Sequence, residues 1–124
     1  MIYQDVLSIV TSFYAKATQD ILIGFHFRNI KDFDQHLPRI ADFWEYQVLG
    51  TQTHPESFPF DLIRVHLPLK LNKGQLRRWI ILFDQTLQEF VATHPHEKTT
   101  IAIWAQKIEH FKNKMLDHPK LFHS

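Results

Sequence analysis

Apolar side chains in this chain recur three and four residues apart in four long stretches, and no stretch shows them alternating in twos. That period lays them on one face of a helix and leaves no segment for a half-buried strand. From Tyr3 to Asp20 the stripe is Val6, Ile9, Val10, Phe13 and Ala17. From about Asp34 to Leu49 it is Phe33, Leu37, Ile40, Phe43, Trp44 and Val48. The longest run, Leu76, Trp79, Ile80, Phe83, Leu87, Phe90 and Val91, is broken by His94-Pro95-His96. The last, about Glu97 to Leu116, carries Ile101, Trp104, Ala105, Ile108, Phe111 and Met115. A short helix is also expected from Phe60 to His66, stopped by Pro68. The expected fold is all-α, a single domain over residues 1–124 with no repeat or linker.

Glycine marks where these periods change. Gly24 opens an irregular aromatic stretch, Phe25-His26-Phe27, and Gly50 ends the second helix before the polar loop Thr51 to Pro59. Asn72-Lys73-Gly74 leads into the third long pattern. Asp32 or Asp34 is expected to cap the second helix, where Pro38 is tolerable only within the first turn.

Composition narrows the function classes. Eleven Phe, three Trp and three Tyr in 124 residues imply either a thick core or a flat apolar object to wrap. Lys and Arg are scattered and the net charge is +1, which argues against a nucleic-acid partner. The absence of cysteine excludes disulfides, thiolate nucleophiles and zinc ribbons. The start of the chain has no basic region followed by an apolar stretch, and no apolar run nears the roughly 20 residues of a membrane span. The expectation is a cytoplasmic protein with no membrane partner.

His66 carries the sharpest chemical suggestion, within Leu62-Ile63-Arg64-Val65-His66-Leu67-Pro68-Leu69. A lone histidine on an apolar face is more often a hydrogen-bonded core residue than a ligand. Imidazole can nevertheless bind iron through one ring nitrogen while the other donates to a backbone carbonyl. The end of a short helix leaves such carbonyls unpaired. A five-coordinate haem needs one ligand of this kind and apolar walls on both sides. Phe27, Ile40, Phe43, Ile63 and Phe83 would line that slot. His36 shares a stripe with Phe33, Ile40 and Phe43, so it is either a boundary histidine or a residue gating the sixth iron position. Tyr14 and Trp79 sit beside or on core stripes, and each needs a hydrogen-bond partner if buried. A dioxygen ligand with partial negative charge would accept from them, each bond being worth about 1.5–3 kcal/mol.

Five segments in order resemble the group III truncated haemoglobins. They are Phe13-Tyr14, Gly24-Phe25-His26-Phe27, His36-Leu37-Pro38-Arg39-Ile40-Ala41-Asp42-Phe43-Trp44, His66-Leu67-Pro68-Leu69, and Arg78-Trp79-Ile80-Ile81-Leu82-Phe83. Together they cover about residues 5 to 115. The resemblance implies a truncated globin fold, a two-over-two helical sandwich, holding one b-type haem (iron protoporphyrin IX). The haem would be held noncovalently, since no Cys-x-x-Cys-His exists to attach it. His66 would be the proximal iron ligand and His36 the distal histidine. Tyr14 and Trp79 would face the diatomic ligand (O2, NO or CO), Phe27 would pack on the porphyrin, Arg39 would reach a propionate, and Phe43 and Trp44 would close the distal wall. NO oxidation or peroxide chemistry is implied as well, with electrons from a separate reductase. The chain departs from the family pattern between Gly50 and His66, where relatives often carry a longer glycine-containing loop. The turn after His66 is also one residue tighter than in some relatives.

Two other readings compete. One is a haem-free, globin-like regulatory or interaction module in which His66 and His36 are structural. The other, a helical domain binding a non-haem metal, is disfavoured because no carboxylate–His pair falls at i, i+3 or i+4 on one apolar face. His94, His96, His118 and His123 are expected in loops or the tail, His110 at the surface and His54 in a loop. None of these is assigned a role, and neither is His26, whose place in the aromatic stretch leaves open whether it turns toward a propionate.

Overall fold

The computed structural model describes residues 1–27, 33–55 and 72–116. Four helices, α1 (Tyr3–Ala17), α2 (Phe33–Leu49), α3 (Lys73–Thr93) and α4 (Lys98–Leu116), follow the four stripes, and no strand occurs among the described residues. The short helix expected before Pro68 lies outside the described residues, together with Ile63 and His66.

Each helix begins or ends for a local reason. At the start of α1 the Asp5 carboxylate accepts from the Ile2 backbone N–H at 3.0 Å. The helix stops at Ala17, three residues before the expected Asp20. Beyond it the Thr18 hydroxyl donates back to the Tyr14 carbonyl at 2.8 Å, and Asp20 builds a turn of its own. One oxygen of Asp20 accepts from the N–H groups of Leu22 and Ile23, while the other accepts from Arg78 of α3 at 2.9 Å. A Cβ on Gly24 would lie 2.7 Å from the Thr18 carbonyl oxygen, so only glycine lets the chain fold back this tightly. The 3₁₀ turn Gly24–Phe27 then carries Phe27 edge-on to the Tyr14 ring, centroids 5.7 Å apart.

In α2, Pro38 is the sixth residue rather than one of the first turn, so the helix forgoes one interior hydrogen bond. Of the two expected caps, Asp32 lies outside the described residues, and Asp34 falls inside the helix. Gly50 closes α2 with φ +72°, a left-handed conformation that glycine adopts without a side-chain clash. Asn72 caps α3 in a reciprocal box. Its side chain accepts from the Gln75 N–H at 2.8 Å, and the Gln75 side chain accepts from the Asn72 N–H at 3.0 Å.

Helix α1 packs on α2 and α3, and α4 packs on the same two, so the main contacts form a closed ring of four helices. Aromatic side chains fill its centre. Phe83 of α3 stacks on Phe13 of α1 at 4.4 Å and meets Trp44 of α2 edge-on at 5.6 Å. Trp104 of α4 lies 5.7 Å from both Phe83 and Trp44. Such offset and edge-on pairs add about 0.5–1.5 kcal/mol each beyond their area burial. The aromatic content thus builds a thick core in the described part of the chain.

Candidate functional site

Two buried donors, one from α1 and one from α3, pack against the same ring, Phe13. Tyr14 follows Phe13 on α1, and its ring meets that of Phe13 edge-on at 4.8 Å. Trp79, one turn before Phe83 on α3, meets the same Phe13 ring at 6.0 Å. Both are nearly covered, Tyr14 at 9% and Trp79 at 6% exposure. Burial pushes the Tyr14 phenol well above its ordinary range, so the hydroxyl stays protonated and able to donate throughout the physiological range. Indole N–H can only donate. This side of the core therefore presents donors that do not titrate, set among apolar rings.

The edge of α2 holding His36, Ile40 and Phe43 is covered less than its centre. Ala41, Trp44 and Glu45 are buried, Ile40 and Phe43 half-buried, and His36 and Arg39 exposed. His36 shares an edge with Ile40 and Phe43, as its spacing implies, but is not turned into the packed face. Phe43 lies 5.0 Å from Trp44 and 5.4 Å from Phe111 of α4. Phe27 is half-buried against the core, and Phe83 sits at the core's centre with 1% exposure. His66 and Ile63 lie outside the described residues. A cavity of about 10 Å³, lined by Trp44, Trp79, Ile80, Phe83, Ile108 and Phe111, separates α2, α3 and α4. It has room for about one water, whereas small-molecule pockets run to roughly 300–1,000 Å³.

A second constellation went unread in the sequence. Glu45, 2% exposed in the last turns of α2, accepts from the Thr53 N–H at 2.9 Å, from the Thr51 hydroxyl at 3.1 Å and from the Thr53 hydroxyl. One turn earlier, Asp42 meets His54 Nδ1 at 2.9 Å. The Tyr3 ring of α1 packs edge-on to His54 at 4.8 Å, and its hydroxyl donates to the Pro38 carbonyl at 3.3 Å. Burial raises the Glu45 carboxyl, but hydrogen bonds from Thr53 and Thr51 and the nearby His54 charge outweigh it and hold the group below its ordinary range.

A carboxylate whose folded value is lowered stabilises the fold above its unfolded value of about 4.3, and that contribution is lost as pH falls through the folded value. Glu45→Gln is therefore expected to cost about 1–3 kcal/mol at pH 7 through weakened charge-assisted bonds. The variant should also lose less of its remaining stability than the parent below pH 4.5. Urea unfolding at pH 7 and in the acid limb reads both effects.

Among the described residues no group of three or more His, Cys, Asp or Glu side chains is placed to hold a metal ion. Among them, too, no helix is long and apolar enough to cross a membrane. Comparison of the chain with protein-family models, with curated proteins and with solved structures finds no match in any of the three.

Proposed function

We propose that the chain is a shortened globin that would hold one b-type haem noncovalently through His66 and bind a diatomic ligand (O2, NO or CO). The observation that carries this reading is the pair of buried donors, Tyr14 and Trp79, brought from two helices against one phenylalanine ring. Phenol and indole donors set among apolar rings could stabilise a gas ligand that gains negative charge. The ring of contacts between α1, α2, α3 and α4 suits a two-over-two sandwich.

The donor set fits the group. Tyr14 and Trp79 would donate to the ligand, and Phe27 would lie against the porphyrin face. Ile40 and Phe43 stand on the partly covered edge of α2, where an apolar wall is required, while Phe83 supports Trp79 from behind at 6.3 Å. His36 and Arg39, both exposed on α2, would work at the rim, His36 at the entry path and Arg39 toward a propionate. The cavity lined by Trp44, Trp79 and Phe83 is far too small for a porphyrin, so it is not where the haem would sit. When bound, the iron supplies reversible ligation of a diatomic gas and one-electron chemistry. Turnover as an NO dioxygenase or a peroxidase-like catalyst would draw electrons from a separate reductase, and a cytoplasmic setting suits that partner.

Titrating haemin into the haem-free protein while following tryptophan emission tests the reading. Energy transfer to a haem held beside Trp79 should quench emission with a sharp break at one equivalent. A shallow decline without a break would instead favour the haem-free interaction module.

A further inference from the structure

We propose that His54 is a proton-operated latch that fastens residues 51–55 onto α1 and α2. Its ring is held from two sides: Nδ1 meets Asp42 Oδ1 at 2.9 Å, and the Tyr3 ring of α1 lies edge-on at 4.8 Å. The His54 side chain is 41% exposed, whereas Asp42 is only 16% exposed. Beside this pair, Glu45 binds the same segment through Thr51 and Thr53. Among the described residues, the titratable groups facing His54 are thus Asp42 and Glu45 from α2 and Tyr3 from α1. The first two carry carboxyl groups and the third a phenol.

The two neighbours respond to the charges at this position in opposite directions. Burial, then the charges of Asp42 and Glu45, push the Tyr3 phenol upward. The Glu45 carboxyl is held down in part by the charge on His54, after its hydrogen bonds from Thr53 and Thr51. A protonated His54 makes a charge-assisted bond to Asp42. A neutral ring makes only an ordinary bond, and only from the tautomer with its proton on Nδ1. The latch therefore tightens when His54 takes up a proton and slackens as pH rises. It acts on the segment that leaves α2, twelve positions before His66 in sequence. Nothing in the proposal requires haem.

The Thr53 amide, which donates to Glu45, is the natural reporter. Its hydrogen exchange, corrected for intrinsic rate, would be measured by NMR on the full chain at pH 6 and pH 8, where Glu45 stays ionised. Protection in the parent is expected to fall about fivefold between these values, as fits a partly exposed ion pair. In His54→Gln the change should vanish. The imidazole titration of His54, followed in the parent and in Asp42→Asn, should shift to lower pH in the variant. Protection that is flat in the parent, or equally pH-dependent in His54→Gln, would overturn the latch. So would a His54 titration that Asp42→Asn leaves in place. His54→Gln changes a half-exposed side chain, so the exchange arm stands even if Asp42→Asn fails to fold.

Discussion

Replacing Tyr14 and Trp79 together by phenylalanine is expected to speed O2 release from the haem-loaded protein by a factor of about a hundred to ten thousand. Each donor contributes about 1.5–3 kcal/mol if it bonds to a charged ligand, and about 1.4 kcal/mol changes a rate tenfold. Both side chains are largely buried among aromatic rings. CO gains little charge when bound, so its release should change far less than that of O2. Stopped-flow displacement of the two gases in parent and variant gives that contrast directly. Equal release rates for O2 in the two proteins would remove Tyr14 and Trp79 from the ligand's surroundings.

The second large effect concerns stability. Phe83→Ala should cost about 3–5 kcal/mol, measured by urea unfolding. Phe83 is 1% exposed and is the ring on which Phe13, Trp44, Trp79 and Trp104 converge from three other elements and its own helix. Its loss leaves a void that no single neighbour can fill, because those neighbours are rigid rings packed on one another. The same substitution removes the support behind Trp79, so ligand release should quicken as well. A cost below about 1 kcal/mol would mean that the core is packed differently from this description.

The helices were legible because apolar stripes at a period of 3.6 survive any tertiary detail. Phe13, Trp44, Phe83 and Trp104 all fall on expected stripes, and all are buried. Local chemistry set the ends, and some of it was readable. Asn72 and Gln75 form a reciprocal cap whose three-residue spacing stands in the sequence. The stop at Ala17 was harder to foresee, since it depends on Thr18 bonding back to Tyr14 and on Asp20 meeting Arg78, fifty-eight residues away.

The site was legible to a different degree. Tyr14 stands beside a stripe and Trp79 on one, which leaves their burial open, and both are buried. The stripe of His36 leaves open a boundary histidine or one facing whatever α2 packs against; the packed centre runs through Ala41, Trp44 and Glu45, and His36 falls on the exposed edge. The Glu45 cluster was invisible for a plain physical reason. A glutamate normally reads as an outward-facing residue, and what lets this one be buried is a set of donors on a loop six to eight residues later. His54 was set aside as a loop histidine on the same grounds, although Asp42 lies within hydrogen-bond reach of it.

The central claim is that His66 holds a haem, and one spectroscopic comparison addresses it most directly. Purified protein would be supplied with one equivalent of haemin, reduced with dithionite and exposed to CO, with His66→Ala treated in parallel. The account predicts a stoichiometric Soret band in the parent that sharpens and shifts with CO, and its loss or alteration in the variant. A parent that develops no stoichiometric Soret band would contradict it, and so would a variant whose spectra match the parent's in every state.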